Sequence, residues 1–214
     1  MTYSVKEIYY TLQGEGVHTG RPAVFLRFAG CNLWSGRERD RATAVCKFCD
    51  TQFVGTDGPG GGKFANAGEL ADAVAAQWPL PRRAAAPYVV CTGGEPLLQL
   101  DDAAISALHV RGFEIGVETN GTLPAPGALD WICVSPKAGA PVQQQQGDEL
   151  KLVFPQAEAE AQPENFAGMH FTHYFLQPLD DSRKDENTRA AVEYCLRHPQ
   201  WKLSLQIHKL IGIR

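Results

Sequence analysis

Three cysteines, Cys31, Cys46 and Cys49, carry the strongest chemical signal in the 214-residue chain. Fourteen residues separate the first two, and two separate the second pair. Thiolates two residues apart point the same way from a tight turn and grip one small inorganic centre. The third arrives from the far end of a polar insert. A structural zinc site normally takes four ligands, and a saturated iron–sulfur cluster takes four cysteines. Three thiolates leave one metal position open, where a substrate or cofactor binds. The pattern favours a [4Fe–4S] cluster with one iron free to chelate S-adenosylmethionine (SAM). Two other readings stand beside it. Free cysteines often only pack, and zinc would need a fourth ligand. Cys91, Cys133 and Cys195 are scattered singly, which weighs against zinc.

Bulk properties bound the rest. Hydrophobic residues make up 44% of the chain and charged residues 21%, with a net charge of −4. That is an ordinary globular composition, without the basic excess of a nucleic-acid groove. No apolar run approaches the ~20 residues of a membrane helix. Met1 to Lys6 lacks the basic and apolar regions of a signal peptide. A cytoplasmic, reducing setting is the expectation, and there cysteines serve as metal ligands or catalysts more than as disulfides. One domain over residues 1–214 is expected, with a cluster-loop insert at 32–45.

The elements that must position this chemistry follow in order. Ser4 to Thr11 is β-branched and aromatic and reads as a strand, running into the polar turn Leu12-Gln13-Gly14-Glu15-Gly16. Pro22 opens a second strand, Ala23 to Phe28, whose apolar run suits burial on both faces. Arg27 interrupts it. A buried arginine needs an anion, so Arg27 is either a core ion pair or a carboxylate clamp, and the clamp is favoured. The insert from Ser35 to Arg41 alternates in charge and reads as a surface segment or short helix. Gly55 to Gly62 reads as a mobile loop.

Leu70, Val74 and Trp78 repeat on one face of a predicted helix over 66–78, capped by Asn66 or Gly68. Tyr88 to Cys91 is a short strand ending in Thr92-Gly93-Gly94-Glu95-Pro96, where paired glycines expose backbone to a bound molecule and Glu95 could hold an ammonium. Asp101 or Asp102 caps a helix with Ile105 and Leu108 inward. Further strands are expected at 113–117, 131–134, 150–154 and 171–176, a helix at 185–197 with Val192 and Leu196 four apart, and a last strand at 201–207. Gln143 to Gly147 is low in complexity and reads as an exposed turn.

Strands alternating with helices imply a parallel sheet with right-handed crossovers. Polar clusters follow nearly every strand: Gln13/Glu15, the cysteine loop, Thr92/Gly94/Glu95, Glu118/Asn120, Ser135/Lys137, Gln177 and His208. Ligands of such sheets bind beyond the carboxyl ends of the strands. The chain is short for a full barrel of ~250 residues. An α/β fold is therefore expected: a partial, open TIM-like barrel of about six parallel strands with helices outside.

The residues resemble the radical SAM superfamily and, within it, the 7-carboxy-7-deazaguanine synthases of queuosine and deazapurine biosynthesis. Leu12 to Gly16, Phe25-Leu26-Arg27-Phe28 before Cys31-Asn32-Leu33, Cys46 to Thr51, Thr92 to Pro96, Glu118 to Thr122, Ser135-Pro136-Lys137 and Gln206 to Lys209 carry the resemblance. The commonest superfamily spacing has three residues in the first cysteine gap; the fourteen here also occur in this family.

The resemblance implies a lyase that contracts the ring of 6-carboxy-5,6,7,8-tetrahydropterin to 7-carboxy-7-deazaguanine with loss of ammonia. A radical derived from SAM would do the chemistry, so no side chain is expected to be catalytic. Cys31, Cys46 and Cys49 would hold the cluster. Gly94 and Glu95 would meet the SAM amino group, and Phe48, Asp50, Ser135, Pro136, Lys137 and Gln177 the rest of SAM. Leu12, Gln13, Gly14, Arg27 and Thr92 match substrate positions, with Glu15 and Glu118 as candidates for the pterin amino groups. Thr51 matches a Mg²⁺ ligand, and Arg214 would reach the substrate. A flavodoxin- or ferredoxin-type electron donor and a homodimer are implied. The rival readings are a glycyl-radical activase and a zinc-stabilised binding module.

Overall fold

The computed structural model describes residues 2–81 and 86–214. Among the described residues, nine strands form one sheet: β1 (Tyr3–Leu12), β2 (Pro22–Phe28), β3 (Gly62–Phe64), β4 (Tyr88–Gly93), β5 (Glu114–Thr119), β6 (Trp131–Val134), β7 (Gln146–Phe154), β8 (His170–Pro178) and β9 (Trp201–Leu203). Their order is β3-β1-β2-β4-β5-β6-β7-β8-β9. From β2 to β9 every pairing is parallel, while β1 runs antiparallel to both β2 and β3. The fold is the expected open, partial barrel, with seven parallel strands rather than six. Helices α1 (Ala67–Gln77), α2 (Asp102–Val110), α3 (Lys184–Arg197) and α4 (Ile207–Ile211) complete it.

The two faces of the sheet divide the work. Val24, Leu26 and Phe28 of β2 pack with Val89, Ile115 and Val117 against Leu70 and Val74 of α1 and Ile105 and Leu108 of α2. A second apolar cluster joins Val134, Leu150, Leu152 and Leu176 to Ala191 and Trp201. Each fully buried Leu or Ile contributes about 1.5–3 kcal/mol. The alternate residues, Phe25 and Arg27 among them, face a cavity inside the sheet. Strand periodicity thus delivers an apolar outer layer and a polar interior from one chain.

The helix caps follow the sequence. Asn66 Oδ1 accepts from Glu69 N at 3.0 Å, and Glu69 Oε2 accepts from Ala65 N, one residue before the cap, at 2.9 Å. Asp101 Oδ1 caps α2 through Ala104 N at 2.9 Å and also accepts from the Tyr3 hydroxyl at 2.6 Å.

Four expectations are corrected. The last strand ends at Leu203, and residues 207–211 are helical; the chain leaves the sheet so that Ile207 N can donate to Gly14 O at 2.9 Å. Val192 and Leu196 are exposed, and α3 buries Asn187 and Ala191 instead. The Asn187 amide donates to Leu179 O and Asp181 Oδ1, both at 2.8 Å, so a polar residue docks this helix. Gln144 is buried, bonded to Ala125 N and Gln146 O, and Gln146 already belongs to β7. The loop at 55–62 is pinned to the sheet edge: Gly58 N donates to Lys6 O at 2.9 Å and Ile8 N to Pro59 O at 2.8 Å.

Candidate active site

A cavity of about 340 Å³ opens inside the sheet, within the range of small-molecule sites. Its upper wall is the cysteine loop. Cys31, Cys46 and Cys49 all line it, with Phe48, Asp50 and Thr51 between and beyond them. The insert that separates the cysteines folds back on itself. Val45 N and Cys46 N both donate to Leu33 O, at 3.1 and 3.3 Å. Residues Glu38–Thr43 form a short 3₁₀ turn, the surface helix expected. Arg41 returns from that turn, its guanidinium 4.1 Å from the Trp34 ring and donating to Lys47 O at 2.9 Å and Cys49 O at 3.1 Å. Asn32 links the loop to the end of β5, donating to Thr122 Oγ1 at 2.8 Å and accepting from Asn120 Nδ2 at 2.9 Å.

The donor chemistry fits an iron–sulfur cluster. A hydrogen bond from Cys46 pulls the Cys49 thiol down to about 6, while the same bond and burial push Cys46 up. Burial raises Cys31. Lys137 favours the anionic form of both Cys46 and Cys49, and thiolates bind metal. Among the described residues, no three His, Cys, Asp or Glu side chains converge as they would around a single metal ion; a cubane instead takes each thiolate on a different iron.

Gly94 has no room for a side chain. A Cβ there would lie 2.1 Å from Gly30 O and 2.7 Å from Cys31 Cβ, so only glycine lets β4 end against the cysteine loop. Glu95 differs from the expectation drawn for it. It is fully buried and does not line the cavity. Its carboxylate accepts from Leu97 N at 3.0 Å, the Thr119 hydroxyl at 2.7 Å and Asn120 N at 2.8 Å. Burial raises its pKa, although these hydrogen bonds pull the other way. Glu95 thus ties the Gly93-Gly94 turn to the end of β5. Pro136 is also absent from the wall, while Ser135 and Lys137 line it. The Lys137 ammonium donates to Ser135 O at 2.6 Å and Ser135 Oγ at 2.7 Å. Thr92 and Gln177 reach the cavity from the ends of β4 and β8.

The lower wall is built differently from the expectation. Because β1 is antiparallel, Leu12 pairs with Pro22, at the start rather than the end of β2. The turn after it, Gln13 to Gly16, crosses the interior. Gly16 N donates to Ser204 Oγ at 3.0 Å, and Val17 N to Glu149 Oε2 at 3.0 Å. Gly16 has φ +65°, and a Cβ would lie 2.1 Å from Glu149 Oε1. Gln13, Glu15, Glu118 and Lys151 meet here: Gln13 Nε2 donates to Glu118 Oε1 at 2.9 Å, and Lys151 Nζ to Glu15 Oε2 at 2.6 Å.

Arg27 faces the cavity and also pairs with an acid. Its Nε donates to Glu7 Oε1 at 2.9 Å and its guanidinium to the Tyr9 hydroxyl at 3.1 Å. Arg214 donates to the other oxygen of Glu7, and its guanidinium lies 4.7 Å from the Tyr9 ring. The end of the chain closes the rim, with the Arg214 carbonyl accepting from the Thr11 hydroxyl at 2.7 Å. Lys209 bridges Asp50 at 2.6 Å and Asp180 at 2.5 Å. Burial pushes Asp50 up, but Lys209 more than offsets it and leaves the carboxyl below its ordinary range.

Glu7, Tyr9, Lys151 and Asp180 were not singled out from sequence. Lys151 carried the same signal as Arg27, a lone cation inside the apolar run Leu150 to Val153. Glu7 and Tyr9 were legible as alternate positions of β1 sharing one face.

Comparisons with known proteins return relatives that match the whole chain. The chain is 65% identical over 216 residues to the 7-carboxy-7-deazaguanine synthase of Caulobacter vibrioides, and 57% identical over 213 residues to that of Burkholderia multivorans, covering 100% of each chain in both cases. The crystal structure of QueE from Escherichia coli superposes with a TM-score of 0.74 at 28% identity, covering 97% of this chain and 95% of that one. No protein-family model matches the chain. Such full-length identity sets aside the glycyl-radical activase and the zinc module. Among the described residues no helix is long and apolar enough to cross a membrane.

Proposed function

This chain belongs to the 7-carboxy-7-deazaguanine synthase family, and from that premise we propose how its residues serve the reaction. The enzyme is a radical SAM lyase that contracts 6-carboxy-5,6,7,8-tetrahydropterin to 7-carboxy-7-deazaguanine with loss of ammonia. The bound cluster and SAM supply a one-electron cleavage and a hydrogen-abstracting radical; the protein supplies binding, orientation and electrostatics.

Cys31, Cys46 and Cys49 hold the cluster. Gly94 offers backbone to the SAM amino group from a turn too tight for any side chain. Phe48, Asp50, Ser135, Lys137 and Gln177 line the remaining SAM surface, and Glu95 and Pro136 shape it from behind. Arg27 takes the pterin carboxylate, because a planar guanidinium matches a carboxylate bidentately; Glu7 keeps it aimed until substrate arrives. Leu12, Gln13, Gly14 and Thr92 line the ring, Glu15 and Glu118 accept from its amino-bearing edge, and Arg214 guards the rim. Thr51 offers a hydroxyl to Mg²⁺, a hard cation that keeps several waters.

The observation that carries this reading is that Cys31, Cys46, Cys49, Arg27, Glu15 and Glu118 all line one cavity. Incubating the anaerobically reconstituted protein with SAM, a reductant and the carboxypterin tests it. Stoichiometric 7-carboxy-7-deazaguanine and ammonia are expected, and their absence from cluster-loaded protein overturns the reading.

The one-electron step calls for a low-potential donor of the flavodoxin or ferredoxin type. A homodimer is part of the same reading, and analytical ultracentrifugation checks it. We read residues 1–214 as one domain acting in the cytoplasm, the setting that suits reduced thiols.

A further inference from the structure

Lys151 lies on the inner face of β7 with its side chain only 5% exposed. Its ammonium sits 2.6 Å from Glu15 Oε2 and 3.5 Å from Glu118 Oε1. Those carboxylates take further donors from the protein. Gln206 Nε2 approaches Glu15 Oε1 at 3.1 Å, and Gln13 Nε2 lies 2.9 Å from Glu118 Oε1. Every contact made to the pair comes from an N–H donor, so both groups act as acceptors. Burial alone would lower Lys151, but Glu118 and Glu15 raise it well above the ordinary lysine range. Burial alone would raise Glu15, but Lys151 and Gln206 bring it below the usual carboxylate range. Cys133 and Glu149 face the same ammonium, and His208 faces Glu15. Gln206 Nε2 also reaches the cysteine wall, lying 3.4 Å from Asp50 Oδ2.

We propose that Lys151 is a positioning residue that sets specificity: it holds Glu15 and Glu118 as a fixed pair of hydrogen-bond acceptors, so that the site takes a 2-amino-4-oxo pteridine and rejects its 2,4-dioxo counterpart. The proposal rests on the reading that the pterin lies against these two carboxylates. An amino group at ring C2 donates to a carboxylate oxygen. A carbonyl at C2 would place acceptor against acceptor, and sites built to receive a donor reject analogues lacking it by large factors. Without the lysine, a buried carboxyl can take up a proton. It then presents an O–H, which satisfies the carbonyl and erases the discrimination.

Lys151→Met removes the cation, and Lys151→Gln keeps a donor of similar reach without the charge. Each is reconstituted anaerobically, its iron and SAM affinity are measured, and its kinetics are compared on the carboxypterin and the 2,4-dioxo analogue. Iron content and SAM affinity are expected to match the unmodified enzyme. KM for the pterin should rise on the order of tenfold or more, with a smaller change in kcat, and the preference over the dioxo analogue should fall by a similar factor. Should Lys151→Met fail to fold, Lys151→Gln gives the same readout. Wild-type KM and preference in either cluster-loaded variant overturn the proposal. Glu15→Gln separates the two levels. An unchanged pterin KM in Glu15→Gln means the ring lies elsewhere and the underlying reading fails. A raised KM there, with Lys151→Gln unchanged, overturns only the role given to the lysine.

Discussion

The wall bearing Cys31, Cys46 and Cys49 contains no strand and only a six-residue 3₁₀ turn, whereas the wall bearing Glu118, Lys151 and Gln177 is made of β5, β7 and β8. The first is held largely by contacts close in sequence, Leu33 O to Val45 and Cys46, Arg41 to Lys47 and Cys49, Trp34 Nε1 to Arg37 O, with Asn32 and Asp50 as its ties to distant residues. The second is held by parallel ladders and by pairs far apart in the chain, such as Glu15 with Lys151. A loop assembled locally can wrap an inorganic centre that supplies much of its own rigidity. Recognition of an organic ring needs atoms fixed before the ligand arrives, and strands provide that. Glu95 joins the two walls, since Glu95 N donates to Gly30 O beside the cysteines while its carboxylate holds the end of β5.

The largest effect should come from Cys46→Ala, which removes one of the three thiols proposed to hold the cluster. Iron and sulfide analysis should fall well below about four of each per chain, and SAM cleavage should vanish with the fold intact by circular dichroism. Retained cleavage would break the contrast at its root. Glu95→Ala comes next. It strands three buried donors and should lower stability by about 2–4 kcal/mol, read by urea denaturation of the apo-protein. A change under about 0.5 kcal/mol would show that the joint is not structural. Third is Arg41→Ala, which should speed cluster loss to a chelator by about tenfold while leaving apo-protein stability unchanged; Glu38→Ala, which keeps the carbonyl contacts, should not.

The smallest effect is the Lys209 bridge to Asp50 and Asp180. Asp50 is held below its ordinary 3.8, so its contribution is complete above that value and is lost as pH falls through the lower folded one. Burial lowers Lys209, but Asp180 and Asp50 hold it above its ordinary 10.5, so its contribution is complete below that value and is lost as pH rises through the higher folded one. Protease protection of α4 should therefore be flat across neutral pH and fall at both extremes. Lys209→Ala should lose a modest part of it, as partly exposed pairs do.

Much of the cysteine wall was legible in sequence because local spacing defines it. Asn66 and Asp101 announced their helices by the same local logic. What stayed hidden depends on partners remote in the chain. Glu95 read as a ligand because its role as a tie to Thr119 and Asn120 is visible only once β4 and β5 lie side by side. The four-residue spacing of Val192 and Leu196 suggested a core stripe, but α3 docks through Asn187, whose amide bonds carbonyl and carboxylate oxygens. Alternation in residues 201–207 predicts a longer last strand because it does not reveal that Ile207 N pairs with Gly14 O. Antiparallel β1 is not visible in the strand pattern, and it carries Gln13 and Glu15 to the end of the sheet opposite the cysteine loop.

In a closed barrel, strand number and stagger dictate the bore. Here the sheet stays open, and the gap is spanned by the short turn after β1, clasped to Ser204 beyond β9. The width of the chamber is therefore written in a handful of turn residues and their few partners. Evolution or an engineer could resize the opening for a bulkier heterocycle by editing that clasp, leaving the strand ladder untouched.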